Sequence, residues 1–144
     1  MTRFLLDVNV LIALIDPGHV RHDRAHTWFA ASGRRGWATC PLTENGVLRI
    51  VGHSRYPNSP GTPAAVAELM RVFLAHPGHE FWSDDVPLLD RKYVRAERLL
   101  NAAQVTDSYL LALAAAHGGI LATFDRQLVP DAVLDGSKSL HLIG

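Results

Sequence analysis

The stretch RFLLDVNVLIALID, residues 3–16, sets a pattern that the rest of the chain repeats. Its apolar run Phe4–Leu6 has the composition of a strand, and it ends at Asp7. Val8–Ile15 then has the composition of a short helix, which Pro17-Gly18 breaks. A strand that leads through one acidic residue into a helix is the start of a β–α unit, so these residues predict an α/β fold.

Strand-like and helix-like segments alternate along the remaining sequence. Further strands are predicted over residues 37–40, 80–82, 120–124 and 140–143, and helices over residues 22–31, 42–51, 64–74, 88–100 and 106–118. Thr106 is expected to cap the last helix, and the proline-rich residues 54–63 are expected to form a loop. Gly46, inside a helix, costs roughly 1 kcal/mol against alanine, which indicates either a close backbone approach or a need for space. The pattern predicts one domain over residues 1–144, with a parallel sheet of four to five strands flanked by helices on both faces.

Composition limits the classes of function. The 144 residues are 48% hydrophobic and carry a formal net charge of zero, which argues against a bulk electrostatic affinity for nucleic acid or membranes but allows a local basic rim. Of the 14 basic residues only Lys92 and Lys138 are lysines, so arginines would make most polyanion contacts, although genomic base composition gives the same bias. The lone Cys40 and the lack of a run near ~18 apolar residues favour a cytoplasmic protein with no membrane partner.

Four acidic residues lie at the ends of apolar runs. Asp7 and Asp125 each close a predicted strand, whereas Glu44 and Asp107 each open a helix-like stretch. Ligands of open parallel sheets bind beyond the carboxyl ends of the strands, so we expect Asp7 and Asp125 at that edge, and we expect the helix dipole to stabilise the ionised form of Asp107. Converging carboxylates repel one another unless a cation neutralises them, which predicts a divalent-metal site and a hydrolytic function.

The donor types favour a hard cation. Mg²⁺ and Mn²⁺ prefer carboxylate and water oxygens, and such ions can activate a water and neutralise charge on a phosphodiester. Asn9 and Thr123 are placed to steady a carboxylate or a metal-bound water.

Each acid also has a purely structural interpretation. Asp7 alone suits a helix cap, Glu44 and Asp107 suit helix N-termini, and Asp125 suits a turn. A second candidate metal site is the zinc-like cluster of His19, His22 and His26, but no carboxylate or cysteine has matching spacing, so a structural role is favoured.

The segments LLDVNVLIALID, LTENGVLRIV and TDSYLLALAAAHGGILATFD, taken in order, resemble the three acidic motifs of PIN-domain ribonucleases. The similarity extends to the VapC toxins of bacterial toxin–antitoxin pairs and covers almost the whole chain, including the stretch around His22 and Trp28. By matching position, the resemblance implies an acidic active site of Asp7, Glu44, Asp107 and Asp125 and accessory polar positions at Asn9 and Thr106.

The resemblance also implies an activity and partners. These are Mg²⁺- or Mn²⁺-dependent cleavage of RNA to a 5′-phosphate and a 3′-hydroxyl, a homodimer, and a small antitoxin whose C-terminal tail blocks the site. Arg49 and Arg126 are candidates for contact with RNA phosphates.

Two alternatives remain open on the residues alone. A haloacid-dehalogenase-like phosphatase wants a second aspartate where Asn9 stands, and a non-catalytic α/β receiver or partner-binding module wants a lysine near the site, which neither Lys92 nor Lys138 supplies.

Overall fold

Five parallel strands form one sheet in the computed structural model, which describes residues 2–144. The strands are β1 (Phe4–Leu6), β2 (Trp37–Thr39), β3 (His79–Phe81), β4 (Ile120–Thr123) and β5 (Leu140–Leu142). Their spatial order is β3-β2-β1-β4-β5. The chain therefore builds outward from β1 in one direction and returns to β1's other side for β4. This places the point where strand order reverses between β1 and β4, where ligands of such sheets bind.

Helices cover both faces of the sheet, as predicted. They are α1 (Val8–Ile15), α2 (His22–Ala31), α3 (Pro41–Val51), α4 (Pro63–Leu74) and α5 (Ala103–Ala116). Side chains alternate between the faces: Leu5 and Leu121 pack in the core that contains α5, whereas Leu6 and Ala122 pack in the core of α1 to α4. Both central strands are thus buried on both sides, which explains their continuous apolar sequences.

Helix α5 covers its face of the sheet together with buried residues of the segments 82–94 and 128–133. Leu110, Leu111 and Leu113 are all fully buried, and each contributes about 1.5–3 kcal/mol relative to an exposed side chain. A helix that is apolar nearly all round must be enclosed, which keeps its position, and that of its Asp107, well defined.

The predicted helix over residues 88–100 is wrong. The segment consists of turns and a short 3₁₀ turn, Ala96–Arg98. An isolated antiparallel bridge joins Val94 to Val133, and the Arg95 N–H donates to the carbonyl of Ala132 at 2.7 Å. The apolar residues that suggested an amphipathic helix are explained by this tertiary pairing, which buries Val94 in a segment that is not helical.

Thr106 is not the cap of the last helix. Helix α5 begins three residues earlier, at Ala103, and Thr106 is exposed. Asn101 Oδ1 accepts the Gln104 N–H at 3.2 Å, while Gln104 Oε1 accepts the N–H groups of Leu100 and Asn101 at 2.7 and 3.2 Å. This reciprocal pair starts the helix before Thr106 and leaves Asp107 in the second turn, where the helix dipole has little effect.

The histidine cluster is structural. His22 Nδ1 lies 2.7 Å from the carbonyl of Ala13, and His26 Nε2 lies 2.8 Å from that of Leu14. Both carbonyls belong to the last turn of α1, where no helical N–H follows to pair with them. The two rings therefore cap α1 from α2, and the zinc alternative is not supported.

The loop between α3 and α4 is fastened to the end of α1 by one buried carboxylate. Asp16 accepts hydrogen bonds from the Tyr56 hydroxyl, from Asn58 Nδ2 at 3.3 Å and from the Gly18 N–H at 2.9 Å. Burial raises the pKa of Asp16, but these three hydrogen bonds outweigh burial and hold the pKa below its usual value. The loop predicted over residues 54–63 is present, and it is anchored.

Within residues 2–144 no helix is long and apolar enough to cross a membrane.

Asp16→Asn should lower the free energy of unfolding at neutral pH by about 1–3 kcal/mol, because the amide cannot serve as a charged acceptor for all three donors. A depressed carboxyl pKa stabilises the fold above the unfolded-state value near 3.8 and loses that contribution as the pH falls through the folded value. The gap between parent and variant should therefore close below about pH 4. Denaturant titrations at several pH values measure it, with the exposed Asp131→Asn as the matched control. A gap that is constant with pH would contradict this assignment.

Candidate active site at the carboxyl edge of the sheet

Asp7 lies directly after β1 and also caps α1. Its Oδ1 accepts the Val8 N–H at 2.8 Å, and its own N–H donates to the carbonyl of Ala122 in β4 at 3.1 Å. The strand-end and helix-cap interpretations thus hold for the same residue. The side chain is buried, and burial is the main cause of its raised pKa. Hydrogen bonds from Thr123 and Val8 lower the pKa, whereas the charge of Asp125 raises it further.

The hydroxyl of Thr123, at the end of β4, connects two of the acids. It donates to Asp7 Oδ2 at 2.7 Å and accepts the Asp125 N–H at 3.0 Å. Because an N–H can only donate, the hydroxyl hydrogen must point to Asp7. Asp125 in turn accepts the Gln127 N–H at 2.8 Å, which is the turn geometry expected of it. One fully buried threonine therefore fixes Asp7 and the backbone of Asp125 together.

Glu44, in the first turn of α3, is held in a similar way by Thr39 at the end of β2. The Thr39 hydroxyl donates to Glu44 Oε2 at 2.7 Å and lies 2.8 Å from His79 Nε2. Since the hydroxyl hydrogen is used by Glu44, His79 donates through Nε2–H, which assigns the tautomer of its ring. Burial lowers the pKa of His79, against the opposing charge of Glu44, and this favours the neutral ring.

Thr39 and His79 carry no role in the sequence analysis, yet they complete the support of Glu44. One feature of the sequence could have identified Thr39: it is a polar residue at the end of the apolar strand WAT. Thr123 ends the strand ILAT in the same way. Both threonines are fully buried. His79 gave no signal, because its contact with Thr39 depends on the pairing of β2 with β3.

A further acid, Asp84, joins the helices that carry Glu44 and Asp107. Its Oδ2 accepts the Leu42 N–H of α3 at 3.1 Å, and its Oδ1 accepts the Tyr109 hydroxyl of α5 at 3.0 Å. Leu42 lies two residues before Glu44, and Tyr109 two residues after Asp107. Asp84 therefore fixes the two helices relative to each other at the edge of the site.

Helix α3 also approaches α1 closely at this edge. A Cβ added at Gly46 would lie 2.8 Å from Val8 Cγ2, which is too close for an ordinary contact. The need for space predicted at Gly46 is confirmed, because the Val8 side chain lies there, and the contact brings the helix of Glu44 against the residue that follows Asp7.

The charges of neighbouring acids act on Asp107. Its pKa is raised to about 6, mainly by burial and then by the charges of Asp7 and Asp125. The expected stabilisation of its ionised form by the helix dipole is therefore wrong, because Asp107 lies too far into α5 and faces two like charges. The structure thus brings Asp7, Asp107 and Asp125 within electrostatic reach of one another.

These carboxylates suit a hard cation by donor type and by charge. The oxygens are those that Mg²⁺ and Mn²⁺ prefer, and a cation would relieve the repulsion that, in addition to burial, raises the pKa values of Asp7 and Asp107. In the arrangement described for residues 2–144, no three His, Cys, Asp or Glu side chains are grouped closely enough to share one ion. The side chains are instead occupied by their own hydrogen bonds, as for Asp7 with Thr123 and Glu44 with Thr39.

The remaining sequence candidates lie at the edge of the site or beyond it. Asn9 is exposed in the first turn of α1, and Thr106 is exposed in α5, lining a shallow cleft with Leu42 and Tyr109. Arg126 directly follows Asp125, whereas Arg49 lies in the last turn of α3, at the opposite end from Glu44.

Comparisons with known proteins agree with this arrangement. A sequence profile described as the PIN domain matches residues 4–130. Ribonuclease VapC44 of Mycobacterium tuberculosis (strain ATCC 25618 / H37Rv) is 46% identical over 140 residues, which are 97% of each chain. The crystal structure of Mycobacterium tuberculosis VapC20, a sarcin-ricin loop cleaving toxin, has a TM-score of 0.62 at 13% identity and covers 92% of this chain and 97% of that one. A toxin–antitoxin complex from Klebsiella pneumoniae has a TM-score of 0.56 at 20% identity, over 85% and 87% of the chains. Both structures share this fold.

Asp107→Asn should raise the thermal unfolding midpoint in EDTA by about 2–5 °C, because it removes one of three mutually repelling carboxylates. Added Mg²⁺ should raise the midpoint of the parent, since an ion that binds only the folded state stabilises it, and should have little effect on the variant. Asp131→Asn, an exposed aspartate, should match the parent in both buffers. A variant that is less stable in EDTA, or that keeps the full response to Mg²⁺, would exclude Asp107 from the cluster.

Proposed function

This chain belongs to the PIN-domain family, and from that premise we propose that it is a metal-dependent endoribonuclease, the toxin of a toxin–antitoxin module. The observation that carries the proposal is the group of Asp7, Asp107 and Asp125 at the strand-order reversal, where burial raises the pKa of Asp7 and of Asp107 and the charge of Asp125 raises both further. Its curated relatives in Mycobacterium tuberculosis bear the name ribonuclease, and their similarity extends over almost the whole chain.

Asp7, Glu44 and Asp107, which are not grouped closely without an ion, would be drawn together to hold Mg²⁺ or Mn²⁺, with Asp125 as a direct ligand or one acting through water. A bound ion of this kind supplies an activated water and neutralises charge on the phosphodiester, leaving a 5′-phosphate and a 3′-hydroxyl. The protein's own part is to hold the carboxylates ionised and oriented. Thr123 does so for Asp7, and Thr39 does so for Glu44 through a hydroxyl whose direction His79 fixes. Asn9, Thr106 and Arg126 lie close enough in sequence to serve as accessory contacts.

An observation on α1 disfavours the phosphatase alternative. The position two residues after Asp7 holds Asn9, an exposed amide that cannot act as an acid. A receiver is disfavoured as well, since Lys138 precedes β5 and so lies at the amino edge of the sheet, opposite the carboxylates.

We propose that the partner is a small antitoxin and that it binds along α3 and α4. A cleft of about 170 Å³ between these helices is lined by Leu48, Met70 and Leu74, together with the charged Glu44 and Arg71. A cleft of this volume suits one or two apolar side chains of an amphipathic helix, and the presence of Glu44 in its lining would bring such a helix to one of the site carboxylates.

The working unit on this proposal is a homodimer of single-domain chains in the cytoplasm. A cytoplasmic location agrees with a cellular RNA substrate. The buried free thiol of Cys40 is compatible with a reducing compartment.

Asp7→Asn should reduce cleavage of single-stranded RNA in Mg²⁺ by at least about 100-fold while the fold is retained, because the amide oxygen can still accept the Val8 N–H and the amide NH₂ can donate to the Thr123 hydroxyl. Gel analysis of labelled RNA measures the rate, and mapping of the 5′ ends identifies the products. EDTA should abolish cleavage by the parent, and Mn²⁺ should restore it. Undiminished cleavage by Asp7→Asn, or hydrolysis of aryl phosphates in place of RNA, would overturn the proposal.

Thr39→Val should lower cleavage by about 10–100-fold, as expected when the hydroxyl that orients a metal-binding carboxylate is lost. Thr39→Ser keeps the hydroxyl and should restore most of the rate, and circular dichroism controls for folding. A valine variant as active as the serine variant would show that Glu44 does not depend on Thr39.

A further inference from the structure

Two arginines from the start of α2 lie against Phe124, the residue between Thr123 and Asp125. The guanidinium carbon of Arg21 is 5.2 Å from the centroid of the Phe124 ring, and that of Arg24 is 5.6 Å away. Both distances are within the range of a cation–π contact. An element distant in sequence therefore places two positive charges against the residue that directly precedes Asp125.

The fold does not use the charges of these arginines elsewhere. Within residues 2–144 neither side chain takes part in an ion pair or donates a hydrogen bond, and Asp23, the acid between them, is not paired with either. Each guanidinium offers five N–H donors in a planar fork that matches phosphate oxygens. Arg24 is exposed and Arg21 is half-buried, so these donors reach solvent.

Contact with the Phe124 ring restricts the conformations of the two arginine side chains. Phe124 is buried in the core with α1 and α2, so its ring is a fixed surface. An arginine held on a fixed ring loses less conformational freedom when it binds a phosphate than one that extends freely into water. The two side chains, three residues apart at the start of one helix, lie on the same side of it.

The site needs positive charge near its carboxylates. Asp7, Asp107 and Asp125 repel a polyanion, and the formal net charge of zero provides no overall attraction. Arg49 lies at the far end of α3 from Glu44, so it is a poorer candidate than the pair on Phe124.

We propose that Arg21 and Arg24 bind the sugar–phosphate backbone of single-stranded RNA next to the phosphate that is cleaved. This inference rests on the proposed ribonuclease function and names the surface that aligns its substrate. The two arginines contact substrate without taking part in the chemistry, so their loss should weaken binding more than it slows the bound complex.

The test measures binding of a fluorescent single-stranded RNA by anisotropy, in Mg²⁺ and over a range of NaCl concentrations, with Asp7→Asn present in every protein to stop cleavage. Adding Arg21→Ala and Arg24→Ala should raise the Kd at least about tenfold. The slope of log K against log salt should become shallower by about 1.4, because each phosphate contact on a single strand contributes ~0.7. Cleavage by the Arg pair variant with Asp7 intact should show a raised KM and a kcat changed much less.

Two matched variants make the result specific. Arg34→Ala with Arg35→Ala removes an exposed arginine pair from the turn before β2, at the amino edge of the sheet, and should leave the Kd and the slope unchanged. Arg21→Lys with Arg24→Lys keeps the charges, and should keep the salt slope while recovering part of the affinity. The lysine pair also decides the question if the alanine pair unfolds, since thermal unfolding reports folding separately.

An unchanged Kd and slope in the alanine pair, or an equal effect of the Arg34 and Arg35 pair, would overturn the inference. These outcomes are distinct from failure of the proposed function. If the parent binds RNA through Arg21 and Arg24 but does not cleave it, the proposed nuclease function is wrong and the proposed binding surface is supported. If the parent cleaves RNA and neither binding nor cleavage depends on the two arginines, the nuclease function is supported and the proposed binding surface is wrong.

Discussion

Two buried threonine hydroxyls, at the ends of β2 and β4, are the contacts on which the arrangement of the acidic site depends. Each hydroxyl has only one hydrogen, and in both cases a second donor leaves that hydrogen for a carboxylate: the Asp125 N–H at Thr123 and the Nε2–H of His79 at Thr39. The direction of each bond is therefore fixed by the fold. Because the threonines end parallel strands, both acids are held at the same edge of the sheet.

This arrangement has a cost in stability. Burial raises the pKa of Asp7 and of Asp107, and the charge of Asp125 raises both further, so the ionised cluster opposes folding at neutral pH. The rest of the fold offsets that cost through the enclosed helix α5 and the two cores on either side of the sheet. Active sites that work through strained or repelling groups commonly show this opposition between stability and function.

Two local predictions are wrong for the same physical reason. Residues 88–100 have the spacing of an amphipathic helix, yet the pairing of Val94 with Val133 makes the segment extended there. Thr106 is a favourable capping residue, yet Asn101 and Gln104 start α5 three residues before it. In both places a contact formed by neighbouring structure overrides a local preference, because propensities differ by less than about 1 kcal/mol and are easily outweighed.

The sequence by itself determined the α/β class, the positions of all five strands to within about one residue, and the four acids as candidates. Those features follow from local periodicity and from polar residues that interrupt apolar runs, and both can be recognised along one strand or helix. Only the tertiary structure decided which groups support and surround the acids. Thr39 and His79 meet through the pairing of β2 with β3, Asp84 joins α3 to α5, and Arg21 and Arg24 reach Phe124 from another helix. Such contacts join residues that are far apart in sequence, so no local pattern encodes them.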